Sequence, residues 1–171
     1  MIIATFVLMK KIGIISDTHG VFDRPLKDFL ADADEIWHAG DIGSAELADT
    51  IADFKPLRAV YGNIDGGEIR LMFPEFNFFI CENIRVLMTH IGGYPGRYTP
   101  PALQKIRELW PGIFISGHSH ILKVMYDKKY GLLHINPGAA GSYGFHHVRT
   151  AVRLEIDGED IRNLEVAEWP K

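Results

Sequence analysis

Short apolar runs separated by polar or glycine-rich turns repeat along the chain, and their periodicity changes partway. Ile12-Gly13-Ile14-Ile15 is a continuous apolar run ending at Ser16-Asp17, the pattern of a strand buried on both faces. Phe22, Leu26, Phe29, Leu30 and Ala33 then recur at helical spacing behind Pro25, a residue suited to a first helical turn. Glu35 to Ala39 predicts a second strand. Ser44 can cap a following helix whose Leu47, Ile51 and Phe54 share one face, and Leu57 to Tyr61 predicts a third strand. Such a β-α-β-α-β order implies a parallel sheet.

From Phe76 onward, alternation and tight turns take over. Phe76 to Ile80 and Arg85 to Thr89 flank Glu82-Asn83 as a hairpin. Thr99-Pro100 opens a helix expected to turn Leu103, Ile106 and Trp110 inward, and Ile113 to Ser116 is a further strand. Two more hairpins pair Leu122 to Tyr126 with Leu132 to Ile135, and Ala151 to Ile156 with Ile161 to Val166 across Asp157-Gly158. The chain is α/β at first and antiparallel later, without repeat, linker or low-complexity stretch, and residues 1–171 are expected to form a single domain.

Met1 to Met9 reads MIIATFVLM, apolar but far short of the roughly 20 residues that span a bilayer. A secretory signal would carry its positive charge before such a run and a cleavage site after it, and this segment has neither. Residues 1–8 read as an N-terminal extension, either a buried strand extension or an artefact of start-codon choice, since Met9-Lys10-Lys11 would make an ordinary beginning. No other stretch is apolar for long enough to cross a membrane.

Composition narrows the chemistry. The 171 residues are 47% apolar and 23% charged, in keeping with one compact domain. The single cysteine, Cys81, excludes an intrachain disulfide and a thiolate-rich zinc site, and it fits a reducing cytoplasm. A formal charge of −4 with no Lys/Arg run lacks the basic surplus that binders of a phosphate backbone use, so no nucleic-acid partner is expected. Against the one cysteine stand eight histidines, so a metal would be held by oxygen and nitrogen.

The chemistry-bearing residues follow the predicted strands: Asp17-Thr18-His19-Gly20, Gly40-Asp41, Gly62-Asn63-Ile64-Asp65, Thr89-His90 and Gly117-His118-Ser119-His120. Loops at the carboxyl ends of strands in an open α/β sheet converge on one crevice, so these five clusters are expected to face a common point. Singly they decide little: about 0.6 Asp-x-His matches arise by chance in such a composition, and about 0.04 Gly-His-x-His. Their order, each behind an apolar strand, is the signal. Asp17 and His19 can serve one cation where the strand has turned into a loop, with Gly20 supplying the freedom. Asp41 can bridge two cations, Asn63 offers an amide oxygen, and His90, His118 and His120 offer imidazole nitrogens. A mixed set without thiolate suits manganese, taken first here, or iron, zinc or nickel. Two cations roughly 3.5 to 4 Å apart can activate a water and clamp phosphoryl oxygens for in-line displacement, so the predicted chemistry is phosphoester hydrolysis.

In this order, the motifs resemble the signature of the calcineurin-like metallophosphoesterase superfamily. The short chain and Asn136-Pro137-Gly138 after a late strand are similar to its small bacterial and archaeal phosphodiesterase branch, which also contains the eukaryotic retromer subunit. The likeness spans about residues 9–157. It implies a four-layer α/β/β/α sandwich of two mixed sheets with the metals at the sheet edges. It also implies two divalent transition-metal ions, one on Asp17, His19, Asp41 and His120 and the other on Asp41, Asn63, His90 and His118. A bridging hydroxide would be the nucleophile, placed by Asp17, His19, Asp41, Asn63 and His90. The expected substrate is a small phosphoester, a diester before a monoester, and exposed apolar hairpins make a homodimer reasonable. The alternative is a non-catalytic scaffold or interaction module retaining the fold, but the complete ligand set favours an enzyme. A nuclease of the superfamily would call for a basic groove and a capping domain, against the acidic balance of this chain.

Two positions depart from the pattern. Ile64 stands where many members carry a histidine suited to protonating the leaving group, and Gly138-Ala139-Ala140 stands where serine often follows the glycine. Asp65 is the nearest other acid and equally suited to hydrogen-bonding the loop backbone. His38 and His134 read as buried, hydrogen-bonded core residues, and His146-His147 as either pocket-lining or solvated. Arg97 and Arg149 suit phosphate by charge but read as surface residues. Asp32, Asp34 and Glu35 read as a solvated helix end.

Overall fold

The structure is a computed structural model that describes residues 9–171; the reading of residues 1–8 as an extension lies outside the described residues. Strands β1 (Lys10–Ile15), β2 (Glu35–His38) and β3 (Leu57–Ala59) run parallel. They alternate with helices α1 (Arg24–Leu30) and α2 (Ala45–Phe54), as the β-α-β-α-β pattern requires. Helix α3 (Gly67–Met72) leads into the hairpin of β4 (Phe76–Cys81) and β5 (Ile84–Thr89). A small ladder, β6 (Gly93–Tyr94) with β7 (Arg97–Tyr98), precedes α4 (Pro100–Leu109) and β8 (Ile113–Ile115). Two hairpins finish the chain: β9 (Leu122–Asp127) with β10 (Leu132–Pro137), and β11 (Val148–Asp157) with β12 (Asp160–Pro170).

These strands make two mixed five-stranded sheets, ordered β12-β11-β1-β2-β3 and β4-β5-β8-β10-β9. Alternation along each strand distributes the core. Ile12 and Ile14 of β1, Val152, Leu154 and Ile156 of β11, and Ile113 and Ile115 of β8 meet between the sheets with Trp37, Val86 and Met88. Ile15 faces the other way, onto Leu26 and Leu30 of α1 and Ile51 of α2, while Phe114 meets Ala102 and Ile106 of α4. The layers are therefore helix, sheet, sheet, helix: the expected four-layer α/β/β/α sandwich. No helix among the described residues is long and apolar enough to cross a membrane.

Local signals hold where capping chemistry fixes them. Asp23 accepts from the Leu26 amide and Pro25 sits in the first turn of α1; Ser44 accepts from the Leu47 amide at 3.2 Å at the start of α2. Three details differ from the pattern. Helix α3 has one buried residue, Ile69, and therefore no periodicity to read. Ladder β6–β7 is too short to alternate. Trp110 does not point inward: it ends α4 in a left-handed conformation ahead of Pro111 and is 56% exposed, and Ala102 takes the inward place.

Candidate metal centre

The loops after β1, β2, β3, β5, β8 and β10 meet along one edge of the sandwich and are laced to one another. Asp17 N donates to Gly40 O at 2.9 Å, His19 N to Asp41 O at 3.1 Å, Gly117 N to His90 O at 3.0 Å and Gly141 N to Asp17 O at 3.0 Å. That lacing holds a costly backbone. Asp17, His19, Asp41, His118 and His120 all have positive φ, between 44° and 68°, a region that L residues enter only where surrounding structure enforces it. The strand therefore becomes a loop through Asp17 and His19 themselves, and Gly20 only continues the turn. Gly117 is where the sheets close on each other, since a Cβ there would stand 2.0 Å from Ser16 Oγ.

The seven side chains expected from sequence come together at this edge. Asp17 is fully buried; its Oδ2 accepts from Ser16 Oγ at 2.6 Å and from His118 N at 3.1 Å. Its Oδ1 is buried without a hydrogen-bond partner among the described residues. Around that oxygen stand three imidazole Nε2 atoms, of His120 at 3.0 Å and of His19 and His90 at 3.9 Å, none in hydrogen-bond geometry. Two donors each about 2.1 Å from one cation stand roughly 3 to 4 Å apart, so these separations suit a shared ion. Two groups meet the geometric demand, Asp17 with His19 and His120, and Asp17 with Asp41 and His90. Asn63 joins the second, its Oδ1 lying 3.1 Å from His90 Nε2 and 2.9 Å from His118 Nδ1. Asp41 lies between the two groups, with Oδ2 3.3 Å from His90 Nε2 and 3.8 Å from His19 Nε2. Asn63 and His118 are the exposed side of the site; Asp17, Asp41 and His90 are its floor.

His90 makes the case for a cation most directly. Its Nδ1 lies 2.7 Å from the carbonyl of Ala39, which can only accept, so Nδ1 carries the hydrogen and Nε2 of the neutral ring is bare. That bare nitrogen faces oxygens of Asn63 and Asp41, all acceptors. Something positive must reconcile them. In the ion-free site a proton on Nε2 can do so: burial opposes that imidazolium, but its hydrogen bond to Asp41 and the charges of Asp17 and Asp41 outweigh burial and raise His90 above its ordinary value. Burial likewise opposes the Asp41 carboxylate, and its bond to His90 with other favourable contacts prevails and lowers it. His19 goes down, because desolvation exceeds the pull of Asp41 and Asp17. The donor set fits divalent-cation binding, Asp17, His19 and His120 forming one candidate group and Asp17, Asp41 and His90 another, with Asn63 and His118 beside the second.

The neighbouring residues sort differently. Asp65 is occupied in the loop: its carboxylate accepts from the amides of Ile42, Gly43 and Gly62, which leaves it no role as an acid. His38 is buried and bonded to Thr18 Oγ1 and the Gly40 amide, as expected, and burial lowers it to about 4. His134 is buried but not hydrogen-bonded among the described residues; it packs between the rings of Phe114 and Tyr98, and burial lowers it to about 4. Arg149 is not at the surface. It is buried, with two nitrogens on the Asp23 carboxylate at 2.7 and 2.9 Å and Nε on Ala140 O. Arg97 is exposed in β7, and Asp32 and Asp34 are exposed, but Glu35 is held by Arg58 at 2.9 Å and Lys10 at 3.6 Å. His147 is exposed, whereas His146 lies against the site with Nδ1 3.2 Å from His120 Nδ1. Tyr143, unmarked by any motif, lays its ring 5.0 Å from that of His19. A cleft of about 420 Å³ opens beside these residues, between His118, His120, Tyr143, Phe145 and His146.

A family model described as the calcineurin-like phosphoesterase superfamily domain matches residues 9–159. A protein of Methanothermobacter thermautotrophicus named a probable metallophosphoesterase is 30% identical over 158 residues, covering 88% of each chain. Another, from Methanocaldococcus jannaschii and likewise named, is 30% identical over 135 residues, 75% of this chain and 67% of that one. Among solved structures, Chaetomium thermophilum Vps29 superposes with a TM-score of 0.75 at 15% identity, covering 94% of this chain and 97% of that one. Entamoeba histolytica Vps29 complexed with Zn²⁺ gives 0.69 at 20%, over 94% and 98%. The fold is theirs, as the expected kinship with the small branch requires.

Proposed function

We propose that this chain, which belongs to the calcineurin-like phosphoesterase superfamily, is a metal-dependent hydrolase of phosphodiesters with a binuclear centre. The observation that carries the reading is the buried, partnerless Asp17 Oδ1 with three imidazole nitrogens turned toward it, beside the bare His90 Nε2 among acceptors. Two divalent ions, manganese first, would supply an activated water for in-line attack on phosphorus and positive charge for its oxygens. Asp41, between the two groups, would serve both ions. The protein's own part is to hold that geometry: Ser16 and the His118 amide fix the Asp17 carboxylate, the Ile64 amide fixes Asp41 Oδ1 at 3.0 Å, and Ala39 fixes His90.

Leaving-group protonation is where this site is weak. Ile64 is 48% exposed beside Asn63 and cannot donate a proton, and Asp65 is tied to three amides. The reading is therefore an enzyme for esters with good leaving groups, small enough for the cleft beside His118. The lone cysteine supports a cytoplasmic setting. A homodimer would use the open edge of β9, where Val124, Met125 and Tyr126 are exposed. The likeness to Vps29 supports a second reading, a scaffold in which metal binding has become structural. The test is hydrolysis of an aryl phosphodiester and an aryl phosphomonoester by the manganese-loaded protein and by Asp41→Asn. The diester is expected to turn over faster, with a loss of at least about 100-fold in Asp41→Asn. Metal binding with no turnover of either ester would establish the scaffold instead.

A further inference from the structure

Among the described residues, His120 is the one imidazole of the group of Asp17, His19 and His120 whose far nitrogen meets another side chain. Its Nδ1 stands 3.2 Å from Nδ1 of His146, the rings edge to face at 75°. The other nitrogen of His146, Nε2, lies 2.9 Å from the carbonyl oxygen of Gly141. A carbonyl only accepts, so His146 Nε2 carries the hydrogen, and the Nδ1 of that neutral ring is a lone pair. Only an N–H can face it, so the hydrogen of His120 is on Nδ1. In the neutral ring of His120 that leaves Nε2 bare, and it is this atom that lies 3.0 Å from Asp17 Oδ1 and 3.5 Å from His19 Nε2.

We propose that His146 is a positioning residue that fixes the tautomer and ring orientation of His120, so that a bare Nε2 faces the ion shared with Asp17 and His19. The inference rests on the metal-centre reading. A backbone carbonyl does this directly for His90, through Ala39 O. For His120 the carbonyl of Gly141 does it at one remove, with His146 between. The relay has a fixed length because its far end is anchored to the site: Gly141 N donates to Asp17 O at 3.0 Å, so the carbonyl that orients His120 is registered on the residue His120 must face. Gly144 completes the device. It has φ +123°, and a Cβ there would stand 2.4 Å from His120 Nδ1 and 3.1 Å from His146 Nδ1, so only hydrogen fits where the loop crosses the pair. Outer hydrogen bonds of this kind orient ligating imidazoles and raise their basicity, and losing one typically weakens metal binding about 10- to 100-fold.

The test uses zinc alone, a diamagnetic probe, on the ¹⁵N-labelled full chain. His120 Nδ1–H is expected to exchange slowly and to show a scalar coupling to the Nδ1 of His146 across the hydrogen bond. His146→Phe keeps a ring and removes both nitrogens; zinc affinity should fall about 10- to 100-fold, with the His120 proton exchanging freely. His146→Asn puts an acceptor oxygen near the place of Nδ1 and should recover most of that affinity, which general damage to the loop would not allow. Equal zinc affinity in parent and His146→Phe, or an uncoupled, freely exchanging His120 proton in the parent, overturns the proposal while leaving the metal centre standing. A parent protein that binds no zinc overturns the metal-centre reading and the proposal with it.

Discussion

At the scale of single residues, the site is a place where the fold accepts unfavourable chemistry. A buried carboxylate oxygen with no donor is expensive, and Asp17 Oδ1 is one. Asp17→Asn should then leave the ion-free protein as stable as the parent or more so, while abolishing the rise in melting temperature that added manganese gives the parent. Thermal unfolding with and without metal reads both. Ile64→His should help diesters with poor leaving groups more than activated aryl esters, measured as the ratio of their kcat/KM values; an equal effect on both would remove leaving-group protonation from the account. That these seven side chains would meet was legible in the sequence because the signal lies in residue type and in position after a strand. Residues whose roles come from partners far along the chain were not. Arg149 looks like any surface arginine until Asp23 is placed beside it, and His134 looks bonded until it is seen between two aromatic rings. His146 carried no motif; its one signal was a histidine in a glycine-rich loop following a strand that leads to the site.

At the scale of elements, the strands were legible because burial on two faces or one writes itself into hydrophobic spacing. Ile12 to Ile15 is uninterrupted since the sheet core takes one side and the helices the other. What failed was short or terminal. Helix α3 buries only Ile69, and the Trp110 end of α4 is decided by the following proline rather than by periodicity. The run Leu57 to Tyr61 outlasts β3, which ends at Ala59, because the parallel strands give up their last residues to the loops of the site. Helix α1 has seven residues and depends on tertiary support: Leu26 and Leu30 pack on the sheet, and the fork of Arg149 on Asp23 ties the helix cap to β11. Arg149→Met should cost about 2 kcal/mol in urea unfolding, below the cost of breaking a fully buried pair because Asp23 is partly solvated. Metal affinity should not change.

At the scale of the molecule, two buried neutral histidines make the sandwich acid-sensitive. His38 and His134 are each lowered from 6.5 to about 4 by burial, so below pH 6.5 the unfolded chain binds protons that the folded one refuses. Their contribution is fully present above pH 6.5 and is lost as pH falls toward 4. Replacing His134 by Phe removes one of the two, so the fall in urea stability between pH 7 and pH 4 should shrink by up to about 3 kcal/mol. An unchanged fall would show that His134 titrates in the fold as it does in the unfolded chain. The larger architecture serves one end: two mixed sheets bring six strand-end loops to a single edge, where five residues are held in left-handed backbone. The arrangement has a purpose if two cations bind there. The most direct test is the metal content of the purified chain after reconstitution with manganese and removal of excess ion. Two manganese ions per chain are expected, falling in Asp41→Asn; one ion or none per chain in the parent would mean that the centre is not binuclear.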